Sequence, residues 1–260
     1  MNRRILTPMI VLSLALAGCD DGPSKNAAPV SSSLQAAAKS SAASTFVVAS
    51  EASKVSFLMD APIEKIFGDA PGSASGEFHV DLTDVTKSTG LLKIDLDKLV
   101  LSHQKREDEA GEFKERKQDD TQNAHAREWL EIGPGAPADV KAKNQFIEFK
   151  ITKVATSGEK DIGKLTGAER KLTVDVSGDF RLHQRSVEKT AKLELTVKYD
   201  GDKPKSISVK SLDTIPVDLE KHDVRPRSAF GKLADATLAT LSKKVNKTPQ
   251  ISIEIEATAK

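Results

Sequence analysis

The chain has 260 residues, 39 of them basic and 38 acidic, for a formal net charge of +1. So even a balance sets up no long-range field toward a nucleic acid or an anionic bilayer, so no nucleic-acid partner is expected and charged partners must be met locally. A single cysteine excludes an internal disulfide, and the folded part must be large enough to stand on its hydrophobic core.

The chain opens with Arg3 and Arg4, then an uncharged apolar run over 5–17 that ends in Leu16-Ala17-Gly18-Cys19. A basic start, a short apolar stretch and small residues before a cleavage point make a signal peptide. The run is shorter than the ~20 residues a membrane span requires. A cysteine directly after the cleavage point resembles a bacterial lipoprotein signal. That resemblance implies loss of residues 1–18, acylation of Cys19, and a protein held on an envelope membrane, facing the periplasm or the exterior. The plainer alternative is an ordinary secretory signal with a coincidental cysteine. Residues 19–44 then comprise the lipidated Cys19 and an Ala/Ser-rich stretch whose only large apolar residues are Val30 and Leu34. Such a composition buries too little to offset chain entropy, so a flexible spacer is expected. Folded material should start near Phe46-Val47-Val48 and form one domain over 45–260.

Within that domain the pattern has period two. Leu172, Val174, Val176, Phe180 and Leu182 alternate with polar residues, as do Leu193, Leu195, Val197 and Tyr199. A half-buried strand produces this alternation, and Gln184-Arg185-Ser186 between the two runs reads as a tight turn. Asp200-Gly201-Asp202-Lys203-Pro204 reads as another. Shorter alternations are Val55-Phe57-Met59, Phe78-Val80-Leu82, Leu92-Ile94-Leu96, Ile147-Phe149-Ile151, Ile207-Val209 and Ile251-Ile253-Ile255. The pattern predicts an all-β fold, an antiparallel barrel or sandwich of about eight strands, with one or two short helices. The helical candidates are 118–132, which lacks alternation, and 229–244, where Phe230, Leu233, Leu238 and Leu241 recur at helical spacing. The charged stretch 103–120 reads as a solvated loop.

Signals for chemistry are few. The five histidines show no metal-ligand spacing, and there is no nucleophile elbow, phosphate-cradling loop or dinucleotide fingerprint. The expectation is a protein without catalytic residues, metal or resident cofactor. His183 reads as a turn residue. His125, Arg127 and Trp129 stand out because one irregular segment combines a titratable ring, a cation and the only tryptophan. They suit the mouth of a barrel, where an aromatic meets a lipid tail and a cation its head. They suit equally an aromatic plug over the core with Arg127 paired to a carboxylate. Phe57, Phe78, Phe149 and Phe180 fall on predicted inward faces and are the candidate ligand-contacting side chains.

The order of short motifs resembles the YceI-like family of polyisoprenoid-binding periplasmic proteins. Ser53-Lys54-Val55-Ser56-Phe57 resembles its first core strand, and Asp120, His125 and Arg127 leading to Trp129 resemble its Arg-Asp-x-His segment. Asn144-Gln145-Phe146-Ile147-Glu148-Phe149 and Ser177-Gly178-Asp179-Phe180-Arg181-Leu182-His183 are similar to two further strands, and Arg227-Ser228-Ala229-Phe230-Gly231 to the segment before the last. Asp60 and Gln184 depart from the pattern, where the family often has histidine and glycine. The resemblance implies a lipocalin-like antiparallel barrel that binds an isoprenoid quinone, a polyprenyl phosphate or another amphiphile. The competing expectation is a packed barrel acting as an envelope interaction module, with 103–120 as its contact surface. Closed barrels of this size can fill with side chains or hold one ligand.

Overall fold

The computed structural model describes residues 22–118, 120–225 and 246–260. The signal segment, Cys19, the expected helix at 229–244 and the motif from Arg227 to Gly231 lie outside the described residues. Among the described residues there are thirteen strands: β1 (Ala43–Val48), β2 (Lys54–Asp60), β3 (Glu64–Asp69), β4 (Ala74–Asp81), β5 (Thr89–Asp95), β6 (Val100–Lys105), β7 (Lys117–Gln118), β8 (Phe146–Ala155), β9 (Glu169–Leu182), β10 (Arg185–Asp200), β11 (Lys203–Ser211), β12 (Ile215–Pro216) and β13 (Gln250–Ala259). Helices α1 (Asp120–Trp129) and α2 (Ala138–Asn144) lie between β7 and β8.

Eight strands close a barrel in the order β1-β4-β5-β8-β9-β10-β11-β13, with β13 pairing back to β1 through Phe46↔Ala259. Every pairing is antiparallel, as one-sided alternation requires. The first half of β13 also pairs with β2, from which β3, β6 and β7 extend as a side sheet. The fold is therefore the all-β barrel that the alternation predicts, with two helices. Its inward residues are those of even number on β9: Leu172, Val174, Val176, Phe180 and Leu182 are buried, and Thr173 on the opposite face is exposed.

Three expectations need correction. The hairpin turn is His183-Gln184, one residue before the predicted site. Both residues have positive φ (49° and 60°), the geometry of a two-residue turn whose twist matches the strands. Residues 103–105 and 117–118 of the charged stretch are strand, paired by His103↔Lys117, so only the part between them is loop. The described part of the Ala/Ser-rich stretch is not a free spacer. Its backbone bonds to the barrel at Ala28 N–H to Lys221 O (2.8 Å) and Ser31 N–H to Gln184 O (2.7 Å). Leu34 N–H donates to Glu148 Oε2 (2.8 Å), and Val30 forms a bridge with Arg185. Main-chain groups supply this docking, which needs no apolar side chain.

Candidate ligand-binding site

Inward side chains from β4, β5, β8, β9, β10, β11 and β13 enclose a cavity of about 120 Å³. It approaches the size of the apolar cavities, about 150 Å³, that stay dry and admit a molecule like benzene. Of its twenty-four lining residues all but Ser88, Thr89 and Lys189 are apolar. The hydroxyl of Thr89 is buried without a hydrogen bond among the described residues. Phe78, Phe149 and Phe180 line the cavity, as their parity predicts. Phe149 and Phe180 are cross-strand partners on β8 and β9. The Phe149 ring also lies over Gly178, where a Cβ would stand 2.8 Å from its Cζ and 2.3 Å from Lys150 O. Only glycine lets the ring settle there.

Phe57 is the exception among the phenylalanines. It packs outside the cavity with Met59, Ile66 and Leu101, beneath Ala126 of α1, and its ring occupies the space over Gly68. β2 has left the barrel for the side sheet at this point, so inward parity there faces a second small core.

His125, Arg127 and Trp129 all lie on α1, and none of them lines the cavity. Trp129 packs on a cluster of Leu96, Leu130, Ile132, Phe180, Leu182, Val217 and Val224, which fills the barrel end beyond Phe180. Arg127 donates to Asp97 O (3.1 Å) and Leu99 O (3.5 Å) and stands 3.9 Å from Asp97 Oδ1. His125 is half-buried. This is the arrangement of an aromatic plug with a carboxylate-paired arginine, and it places all three one layer away from the cavity.

The cation that does line the cavity is Lys189, on β10. It shares the odd parity of Ala191, Leu193 and Leu195, which also line it, so its side chain emerges on the inward face. The ladder between β10 and β11 ends at Leu193↔Ser211, followed by one bond from Leu212 N–H to Lys192 O (3.0 Å). Beyond it, β12 pairs with β13 and not with β10. Lys189 spans the resulting gap, its Nζ donating to Pro216 O at 2.6 Å. Among the described residues no carboxylate forms an ion pair with it. Desolvation holds its pKa below the ordinary lysine value, the positive charge of Lys221 adds to that, and Asp218 partly opposes it. The parity of residue 189 was the signal that could have revealed this residue, since a lysine in register with Leu193 belongs to the inner face.

A second polar cluster surrounds the β9–β10 turn. His183 is buried, with Nδ1 3.1 Å from His222 O and Nε2 2.7 Å from Glu131 Oε2. Both partners are acceptors. His222 is fully buried, its Nδ1 within 3.1 Å of Arg185 O and its ring edge-on to Phe180 at 5.3 Å. Burial pushes its pKa down from 6.5 to about 4. These groups fasten a turn, and none of them lines the cavity described above.

No family model matches the chain, and no curated protein matches it. Among solved structures, BcnA of Burkholderia cenocepacia is similar, with 16% identity, a TM-score of 0.48, and coverage of 81% of this chain and 99% of that one. A polyisoprenoid binding domain from Saccharophagus degradans, implicated in plant cell wall breakdown, matches with 14% identity, a TM-score of 0.49, and coverage of 83% and 98%.

Proposed function

We propose that this protein is a non-catalytic carrier that holds the apolar chain of an amphiphile inside its barrel. The observation that carries the reading is the cavity itself: it is almost wholly apolar, and the Lys189 in its lining spans the gap between β10 and β12, through which a ligand would enter. Each methylene buried there would contribute about 0.8 kcal/mol, so a modest length of chain supplies useful affinity without a reacting group. A cavity of about 120 Å³ takes only part of a long prenyl chain, and the remainder would leave through the gap. An isoprenoid quinone or a polyprenyl phosphate, the ligands implied by the motif resemblance, has this form.

The same reading gives the docked N-terminal stretch a purpose. Ser24 N–H donates to Asp223 Oδ1 (2.9 Å), and Ala28 bonds to Lys221, on the segment that follows β12. An acylated Cys19 five residues before Ser24 would keep that end of the barrel within about 18 Å of an envelope membrane, at ~3.6 Å per extended residue. Apolar ligands dissolve there. Mass spectrometry of an organic extract from the natively purified protein tests the proposal. A long-chain amphiphile near one equivalent is expected. Its absence, together with no uptake of added farnesol, would overturn the reading.

A further inference from the structure

We infer that Lys189 is a specificity-determining residue of the cavity, and that the preferred ligand is an apolar chain ending in an oxyanion head, a carboxylate or a phosphate. The inference rests on the carrier reading and adds the chemistry of the head group.

Every other lining side chain except the hydroxyls of Ser88 and Thr89 is apolar, so among the described residues Lys189 is the only charge a ligand inside would meet. Its ammonium can donate three hydrogen bonds, and the described residues accept one of them, at Pro216 O. A buried or half-buried cation is usually paired with a carboxylate, because desolvation without a counter-ion is costly. Among the described residues none pairs with it, and Lys221 lies near enough to depress its pKa, an effect that Asp218 only partly opposes. The local field thus favours an anion. The position has the same consequence. Lys189 stands at the gap between β10 and β12, while the residues further along its inner face, Ala191, Leu193 and Leu195, line apolar space. A chain lying along them would bring its terminal group to the ammonium. The charge-assisted bonds formed there are the strong kind, and a neutral head forms weaker ones.

Dodecanoate and dodecanol share one chain and differ in the head, so their binding to the full chain separates the two claims. Titrations by displacement of a fluorescent fatty-acid probe should give dodecanoate about tenfold or more tighter binding than dodecanol. In Lys189→Met the preference should vanish through loss of dodecanoate affinity, with dodecanol unchanged. Lys189→Arg should retain it, and melting curves establish that both variants fold. Replacing dodecanoate by dodecyl phosphate distinguishes a phosphate-selective site from one that takes any oxyanion. Equal binding of the two ligands to the unmodified protein, or a preference that survives in Lys189→Met, would overturn the inference and leave the carrier intact. Binding of neither ligand would overturn both.

Discussion

Glu131, His183, Gln184 and Asp223 all have positive φ, and no glycine stands among them. Such backbone costs on the order of 1 kcal/mol per residue and persists where its surroundings fix it. Glu131 ends α1, with Ile132 N–H bonding to Arg127 O and Glu131 N–H to Glu128 O, the paired bonds of a left-handed helix stop. Its carboxylate then reaches His183 in the β9–β10 turn. One side-chain contact therefore ties the end of α1 to the long hairpin. His222, beside it, gives the clearest pH dependence. Its folded pKa of about 4 lies below the ordinary 6.5, so the unfolded chain takes up the proton first. Its contribution is intact above pH 6.5 and is lost as pH falls toward 4, roughly 3 kcal/mol in all at about 1.4 kcal/mol per unit. Denaturant titrations between pH 7 and 4 should show a shallower loss of stability in His222→Gln than in the unmodified protein. Identical slopes would mean that His222 takes up its proton equally in the folded and unfolded states. His183 was legible as a turn residue, but its buried contacts were not, and the four left-handed positions lack the glycine that normally signals them, which is why the turn was read one residue late.

At the scale of elements, β9 was the most legible because from Leu172 to Leu182 no inward residue is polar and the outward neighbours are polar. The exception, Arg181, is instructive. It faces outward and yet is only 3% exposed, beside Glu148 at 1%. The two are cross-strand partners, with Arg181 Nη1 3.4 Å from Glu148 Oε2 and Lys93 Nζ 3.2 Å from Glu148 Oε1. The N-terminal stretch covers them: Leu34 N–H donates to the same carboxylate, and Ser31 O accepts from Arg181 Nε (3.3 Å). The carbonyl of Lys143, near the end of α2, accepts from Arg181 Nη2 (3.2 Å). Composition alone spoke for a loose spacer, because it counts apolar side chains and this contact is made by main chain and buried charge. Arg181→Met should therefore cost about 3–5 kcal/mol in denaturant titrations, since it leaves Glu148 buried with less compensation. The Leu34 amide should also exchange faster with solvent. A cost under about 1 kcal/mol would mean that the stretch does not hold the pair out of water. Strands β3, β6 and β7 escaped notice for a related reason. They carry charged or polar side chains at most positions and are held by pairing and by the small core under α1.

At the scale of the whole molecule, the described residues form a closed barrel with one end filled and one stretch of wall unpaired among them. The apolar cluster around Phe180 and Leu182, covered by Trp129, fills the end beyond the cavity. The gap between β10 and β12 is spanned by Lys189. The inward phenylalanines were legible from parity, and three of the four line the cavity. Phe57 does not, because strand parity cannot tell which of two cores a bent sheet faces. The α1 residues were legible as a constellation, but their depth was not: Trp129 touches the cluster that holds Phe180 and stops one layer short of the cavity. Filling that space tests the account most directly. Ala191 lines the cavity from the middle of β10, and a phenylalanine there would occupy volume that the account reserves for a ligand. Farnesol binding, followed by the emission of Trp129 and of a Phe180→Trp reporter in otherwise identical proteins, should saturate with Ala191 present. It should weaken by about tenfold or more in Ala191→Phe, whose melting temperature should not fall, because the ring fills a void. Equal farnesol affinity with alanine and phenylalanine at residue 191 would contradict an interior site.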